Sequence, residues 1–150
     1  MTKITYSTEL DKDIDKKVEQ GMIQYEAERG IDVNYQRFYL LCHNDANELV
    51  GVLNAYTAFA EIYIDDLWVD SKHHGRGYGS KLIKELDNRF ANKGFNNINL
   101  CTSEFQAPEF YKKCGFELEF IRENKHNPKL TKYFFVKFFL ISSQSQGLIK

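Results

Sequence analysis

The sequence is poor in proline, has no paired cysteines and carries almost no net charge. Its 150 residues include two prolines and three cysteines, and the formal net charge is −1. Cys42, Cys101 and Cys114 form no C-x-x-C pair, so we expect buried thiols in a reducing compartment and no disulfide or zinc site. A charge near zero gives no electrostatic basis for binding nucleic acid or an acidic membrane surface.

No apolar run is long enough to cross a bilayer. The most apolar stretch, Tyr133 to Ile141, is about half as long as a membrane helix of ~20 residues, and Lys137 interrupts it. The first residues, MTKITYSTELDKD, contain no apolar signal-peptide core. We therefore expect a buried strand at 133–141, and a cytoplasmic protein with no membrane partner.

The overall composition, with 43% hydrophobic and 15% aromatic residues, is typical of a folded globular protein. The length suits a single domain over residues 1–150, and no repeat or linker divides it. Residues 142–150, SSQSQGLIK, are polar, and we expect this tail to be frayed. A homodimer is compatible with such a sequence.

Hydrophobic periodicity predicts strands followed by an alternation of strands and helices. A short strand is predicted at 3–7 and a helix from Leu10, with Gly21 and Gly30 breaking or ending helical pieces. Leu82, Ile83, Leu86 and Phe90 form one apolar stripe of a later helix. Further strands are predicted at 37–44, 48–60, 61–69, 96–102, 115–121 and 132–140, and helices at 81–94 and 107–114. This order predicts one mixed α/β sheet.

Between the strand at 61–69 and the following helix lies HHGRGYGS, residues 73–80, with glycine at every second position. Glycine permits positive φ and close approach of a ligand to the backbone. The spacing fits neither a P-loop nor a dinucleotide fingerprint, whose third glycine would come one residue later. A tight turn is the alternative. However, a helix N-terminus binds anions and Arg76 adds positive charge, so we expect a pyrophosphate here.

A second motif, FYKKCGF at 110–116, gives the loop a context. Together, LWVDSKHHGRGYGSKLI and SEFQAPEFYKKCGF resemble the GNAT superfamily of acyl-CoA-dependent N-acyltransferases. In that family a [QR]-x-x-G-x-[GA] loop binds the coenzyme A pyrophosphate, and HGRGYG (His74 to Gly79) matches it with histidine in the Gln/Arg place. The family's later N-x-x-A-x-x-x-Y pattern is matched by Ala107 and Tyr111, whereas Glu104 replaces the asparagine.

The resemblance implies a GNAT-like α/β fold, with a mixed, mostly antiparallel sheet flanked by helices. It implies transfer of acetyl from acetyl-CoA to a primary amine by direct attack in a ternary complex. It also implies that the strand before the loop splays from its neighbour and holds the cofactor through its main chain. The cofactor-binding residues implied are Leu67, Trp68, Val69, His74, Gly75, Arg76, Gly77, Tyr78, Gly79 and Ser80, with Gln106 taking the role of the missing asparagine.

Two side chains are candidates for catalysis. Tyr111 matches the family's general acid, although it could also simply pack against the sulfur. In IDDL, two adjacent carboxylates point to opposite faces of a regular strand, and Asp65 is favoured over Asp66 for the cleft unless a bulge intervenes. A carboxylate of pKa ~4 is a poor base toward an ammonium of pKa ~10, so binding the cation or relaying a proton through water is easier. A buried carboxylate bonded to backbone amides is the alternative.

The acceptor is predicted to be a small cationic amine, because Glu61, Asp65, Asp66 and Glu104 place carboxylates around one cleft. Polyamines, aminoglycoside-like drugs, amino acids and protein N-termini all stay open. No metal is expected, since His73 and His74 have no third ligand at suitable spacing. The rival function is a non-catalytic acyl-CoA-binding sensor, which would need neither Tyr111 nor Asp65.

Overall fold

The computed structural model describes residues 1–141, so the tail predicted at 142–150 lies outside the described residues. The chain divides into two compact units, Met1–Asn34 and Tyr35–Lys150. A single domain over 1–150 stays a prediction. Within residues 1–141 no helix is long and apolar enough to cross a membrane.

The first unit contains one helix, α1 (Lys12–Ala27), whose N-terminus is capped by the Asp11 side chain. Gly21 lies inside α1, so the predicted break there is wrong; one glycine costs a helix only about 1 kcal/mol. Gly30, with φ +71°, follows the helix end as predicted. The strand predicted at 3–7 is also wrong: these residues are irregular and exposed. None of the described residues of this unit forms a strand that could pair with them.

The second unit is a six-stranded sheet with two helices. Its strands are β1 (Gln36–His43), β2 (Leu49–Ala58), β3 (Glu61–Val69), β4 (Asn97–Ser103), β5 (Glu117–Arg122) and β6 (Lys132–Phe138), and its helices are α2 (Tyr78–Phe90) and α3 (Pro108–Lys113). The strand order is β1-β2-β3-β4-β6-β5. Only the β3–β4 pair is parallel among these strands. The predicted mixed, mostly antiparallel sheet is thus confirmed.

The core lies between α2 and one face of the sheet. Leu82, Ile83 and Leu86 are buried, which confirms the apolar stripe predicted from the sequence, and Phe90 packs at its edge. The largest of the fully buried side chains include Leu53, Ile62, Ile83, Leu86, Ile98 and Phe135. Truncating one of these to alanine would cost about 2–5 kcal/mol. The core therefore fixes how α2 and the loop before it meet the sheet.

Two irregularities of β3 shape the site. Asn54 pairs with Asp66 and Ala55 with Ile64, so Asp65 is an extra, bulged residue. In addition, pairing of β3 with β4 ends at Ile64 and Leu100, although both strands continue beyond that point. The two strands therefore separate, and the β3 backbone after Ile64 has no partner on β4.

The bulge changes which side chains share a face. Ile64 is buried and Leu67 packs against the same core, so both aspartates between them are excluded from the core and are exposed. The expectation that the adjacent carboxylates point to opposite faces is wrong here, because the extra residue resets the alternation.

Candidate active site

The glycine loop connects the end of β3 to α2. After Val69, Asp70 caps a 3₁₀ turn (Ser71–His73), and Gly77 is the N-cap of α2. Gly75 and Gly77 have φ of +77° and +81°, in the left-handed region, and an added Cβ would meet open space at both. These glycines are therefore required by backbone conformation and not by crowding. The helix amides that follow them face an accessible space, which suits an anion.

Gly79 serves a different purpose. It is buried in the first turn of α2, and a Cβ built there would lie 3.0 Å from Cζ of Phe110. Phe110 belongs to α3, so the absence of a side chain at 79 lets α2 and α3 approach closely. The three glycines thus combine two backbone turns with one packing contact.

A cleft of about 520 Å³ lies where β3, the glycine loop, α2 and α3 meet. Its volume is in the range of ordinary small-molecule sites. Its walls are formed by Leu67, Val69, His73, His74, Gly75, Gly77, Tyr78, Gly79, Ser80, Ala107, Phe110 and Tyr111. The loop and the tyrosine predicted to be functional therefore share one cavity.

A second cleft of about 540 Å³ lies between β1 and α2 and includes Phe38, Leu40 and Phe90 in its walls. It is slightly larger, but neither the glycine loop nor the first turn of α2 as far as Ser80 contributes to it. The chemistry of an anionic cofactor therefore favours the cleft beside the loop.

Three residues implied by the resemblance do not line this cleft. The Trp68 residue is 49% exposed, and its side chain points away from the face that Leu67 and Val69 share. Only the main chain of Trp68 could therefore contact a cofactor in this cleft. Arg76 is exposed between the two left-handed glycines. The Gln106 Oε1 accepts hydrogen bonds from the Ser103 amide at 2.8 Å and the Thr102 hydroxyl at 3.3 Å.

Glu104, which replaces the family's asparagine, has a partner within the protein. The Tyr133 hydroxyl donates a hydrogen bond to the Glu104 carboxylate, and this bond is the main cause of a raised Tyr133 pKa. The Glu104 amide donates to the Thr131 carbonyl at 2.9 Å. Glu104 is thus tied to the segment leading into β6.

Tyr111 is 8% exposed, and its ring packs against those of Phe110, Phe116 and Phe135. Burial, with smaller contributions from Cys114 and Asp66, raises the pKa of Tyr111 to about 12. The phenol is therefore protonated at neutral pH and can donate a hydrogen bond. Its buried ring also gives it a packing role.

A polar network lies on the sheet face opposite the core. The Arg37 Nη1 donates to Asp65 Oδ2 at 2.6 Å and to Asn54 Oδ1 at 2.8 Å, and the Asn54 Nδ2 donates to Asp66 Oδ2 at 3.1 Å. The guanidinium also lies 4.9 Å from the centre of the Tyr56 ring. The Asp65 side chain is 43% exposed, so the alternative of a buried carboxylate bonded to backbone amides does not hold.

The cysteines differ in burial. Cys42 and Cys114 are half-buried, whereas Cys101 is exposed, which corrects the expectation of three buried thiols. Cys101 pairs with Phe134 in a strand whose alternate residues Leu100 and Thr102 turn inward. The Cys114 Sγ lies 4.0 Å from the Ser80 Oγ, and burial raises the Cys114 pKa. A thiol that resists ionisation is a poor nucleophile.

Arg37, Asn54 and Phe110 are site residues that the sequence patterns did not single out, and His73 was considered there only as a metal ligand. Phe110 lies inside the FYKKCGF motif beside Tyr111, and His73 opens the glycine-rich stretch, so both could have been found there. Arg37 and Asn54 reach the site through strand pairing, which no local pattern reveals.

This fold is that of the acyl-CoA N-acyltransferases. The model of the Acetyltransferase (GNAT) family matches residues 5–116, and the chain belongs to that family. An acetyltransferase of known structure from Bacillus cereus ATCC 14579 is 28% identical, with 90% of this chain and 98% of that chain covered and a TM-score of 0.73.

Two further relatives have named substrates or ligands. Blasticidin-S acetyltransferase from Streptomyces morookaense is 37% identical over 76 residues, which are 49% of this chain and 55% of that protein. The match thus spans little more than half of that relative. An aminoglycoside 6'-N-acetyltransferase complexed with coenzyme A is 17% identical, covers 88% of this chain and 83% of its own, and has a TM-score of 0.59. That likeness shows the fold alone.

Proposed function

We propose that the protein transfers acetyl from acetyl-CoA to a primary amine of a small cationic acceptor, by direct attack in a ternary complex. The main support is that the left-handed glycine turn opening α2 and the protonated Tyr111 line one cleft. Two relatives are named for acetylating antibiotics, and one was solved with coenzyme A.

Acetyl-CoA would place its pyrophosphate against the amides from Gly75 to Ser80, where helix amides and the Arg76 charge favour an anion. Its pantetheine arm would run along the β3 main chain from Leu67 to Val69, on the side where β4 has separated. The Val69 carbonyl is already bonded to the His74 ring at 2.8 Å. Amides and the other carbonyls of this segment are therefore the more available contacts, whereas the Gln106 Oε1 is already bonded to the Ser103 amide and the Thr102 hydroxyl.

The separation of β3 and β4 also connects the two faces of the sheet. The cofactor cleft lies on the core side, whereas Asp65 and Asp66 lie on the other side. Asp66 is a minor contributor to the raised pKa of Tyr111, after burial and Cys114. An acceptor on the carboxylate side could therefore reach a thioester inserted from the cleft.

In the reaction, the amine nitrogen attacks the thioester carbonyl carbon, the C–N bond forms and the C–S bond breaks. Tyr111 would donate its proton to the departing sulfur. The Tyr111 phenol has a pKa of about 12, and a thiol in water has a pKa of ~8.5. With these two values, proton transfer from the phenol to the thiolate is uphill by roughly 5 kcal/mol. The same desolvation that raises the phenol pKa also raises that of a thiolate beside it, which reduces the difference.

The carboxylates set the charge of the acceptor. Asp65 is paired with the Arg37 guanidinium, whereas Asp66 is bonded to the uncharged Asn54 amide, so these three charged side chains together carry one net negative charge. A cationic amine is attracted to it and an acidic acceptor is repelled. Asp65 would hold the ammonium group or pass its proton to water, because direct removal by an ordinary carboxylate is too far uphill.

The test is release of free coenzyme A thiol from acetyl-CoA across a panel of polyamines, aminoglycosides, amino acids and N-terminal peptides. We expect turnover with cationic small molecules and acetylated amine in the product by mass spectrometry. Tight binding of acetyl-CoA without thiol release for any amine would favour the sensor function. Release with acidic or neutral acceptors alone would overturn the predicted acceptor class.

A further inference from the structure

We propose that His73 is a positioning residue for the cofactor: by bridging Asp70 and Glu48, it holds the glycine turn in the conformation that binds phosphate. The inference rests on the proposed function, since it assumes that this turn receives the pyrophosphate of acetyl-CoA. His73 lies one residue before the HGRGYG motif.

The first contact is within the 3₁₀ turn. The His73 Nδ1 lies 2.9 Å from Asp70 Oδ2, and the His73 amide donates to the Asp70 carbonyl at 2.9 Å. The histidine side chain is only 15% exposed. Its contact is the main cause of a lowered Asp70 pKa, so the partner is a carboxylate at neutral pH. The Asp70 amide in turn donates to the Val50 carbonyl at 2.9 Å, which anchors the turn to β2.

The second contact reaches another loop. The His73 Nε2 lies 3.8 Å from Glu48 Oε2, in the connection between β1 and β2. Glu48 is itself held by Asn44, whose Nδ2 donates to the same carboxylate oxygen at 2.8 Å. The ring also meets Tyr78, the first residue of α2, edge to face at 6.3 Å between centroids. His73 thus links three segments around the cleft.

Both ring nitrogens of His73 face carboxylates, so its contribution to cofactor binding would act through the loop. Gly75 and Gly77 have no side chains that could restrain the turn, and ordering a glycine segment is entropically costly. The His74 ring, bonded to the Val69 carbonyl, is a second restraint just before the first glycine. Fixing the turn before the ligand arrives lowers the cost of binding.

The experiment compares two acetyl donors, acetyl-CoA and S-acetylpantetheine, which lacks the pyrophosphate. We expect His73→Leu to raise the KM for acetyl-CoA about tenfold with little change in kcat, which is the scale of one hydrogen bond to a charged group. Kinetics with S-acetylpantetheine should not change. His73→Asn keeps an N–H near the position of Nδ1 and should recover most of the affinity, and Asp70→Ala should match His73→Leu without adding to it.

Controls separate the outcomes. His126→Leu, in an exposed loop far along the chain, should leave both donors unaffected, and circular dichroism checks folding. Should His73→Leu fail to fold, Glu48→Gln on the exposed hairpin loop provides a milder variant, with an expected two- to threefold rise in KM for acetyl-CoA alone.

Equal losses with both donors, or no loss with either, would overturn the role of His73. The proposed function fails separately if the wild-type protein releases no thiol from acetyl-CoA with any amine. A wild-type protein that transfers acetyl equally well from both donors would remove the pyrophosphate site, and with it the positioning role of His73, without refuting acetyl transfer.

Discussion

Tyr111 has two roles that a single substitution can separate. Its ring packs against three phenylalanines, and the residue lines the cleft with a hydroxyl whose pKa is raised to about 12. Tyr111→Phe keeps the ring and removes only the hydroxyl. If the hydroxyl protonates the departing thiolate, kcat should fall by about 10²-fold or more, the usual contribution of a general acid. The KM for acetyl-CoA should change much less.

Steady-state kinetics with acetyl-CoA varied at saturating amine would measure both constants. Phe110→Leu, beside it, is a control for packing in the same aromatic cluster. An unchanged kcat in Tyr111→Phe would mean that the tyrosine packs against the cofactor without donating a proton.

The two aspartates of β3 offer a matched pair for the acceptor side. Asp65 is paired with Arg37, whereas Asp66 is bonded to the Asn54 amide. We expect Asp65→Asn to raise the KM of a cationic acceptor by about 10- to 100-fold, the scale of one charge-assisted hydrogen bond of 1.5–3 kcal/mol. Acetyl-CoA binding, measured by calorimetry, should not change.

Asp66→Asn tests the competing assignment in the same assay. If only Asp66→Asn raises the KM of the cationic acceptor, acceptor binding would be assigned to Asp66. The bulge makes this a real alternative because it brings both carboxylates to one face. Glu85→Gln controls for a general loss of negative charge, because the Glu85 carboxylate pairs with Arg89 on the exposed face of α2.

The candidate residues show where sequence reasoning succeeds and where it stops. The glycine turn and Tyr111 occur in short motifs, so both can be recognised from the order of residues alone. The partners of Asp65 cannot, because Arg37 is 28 positions away and reaches it only through the pairing of β1, β2 and β3. The order of adjacent residues in a strand also cannot reveal a bulge, because a bulge depends on the register with the neighbouring strand.

At the scale of elements, we expect the same substitution to have different effects at two glycines of the turn. Gly77→Val would place a β-branched residue at φ +81° in open space. Gly79→Val would instead bring a side chain into steric conflict with Phe110. The first should distort the turn at a cost of about 1–3 kcal/mol and abolish binding of acetyl-CoA. The second should mainly loosen the packing of α2 on α3 and lower the Tm.

Calorimetric titration with acetyl-CoA and thermal unfolding of both variants would separate the two effects. Undiminished affinity in Gly77→Val would remove the main support for a pyrophosphate site at this turn. A Gly79→Val variant as stable as the wild type would show that α3 can shift to accept a side chain.

Helices and strands could be predicted where the sequence pattern that specifies them is local. Strand β3 has the bounds that its sequence pattern predicts, and the stripe on α2 follows from helical spacing. The strand at 3–7 was wrong because an alternating pattern forms a strand only with a partner. Gly21 did not break α1, since neighbouring residues outweigh one unfavourable propensity. The point where β3 leaves β4 depends on the whole sheet and could be given only through the family resemblance.

At the scale of the whole molecule, two phenols of raised pKa make stability depend on pH above neutrality. The pKa of Tyr111 is raised to about 12 mainly by burial, and that of Tyr63 to about 12 mainly by its hydrogen bond to Glu61. Each group holds its proton more tightly in the folded chain than in the unfolded one. Their stabilising contribution is therefore complete below pH ~10 and is lost as pH rises toward 12.

Urea unfolding at pH 8, 9.5 and 11 would measure this loss in the wild type and in Tyr111→Phe. At pH 11, a shift of one tyrosine pKa from about 10 to about 12 corresponds to a loss of roughly 1.4 kcal/mol, so Tyr111→Phe should lose that much less than the wild type and keep the loss that Tyr63 causes. Tyr63→Phe should also flatten the decline, but without lowering the acetylation rate at pH 8, because Tyr63 lies outside the cleft. A variant Tyr111→Phe that loses stability as steeply as the wild type would contradict the burial of this phenol, and with it the desolvated proton donor that the proposed mechanism requires.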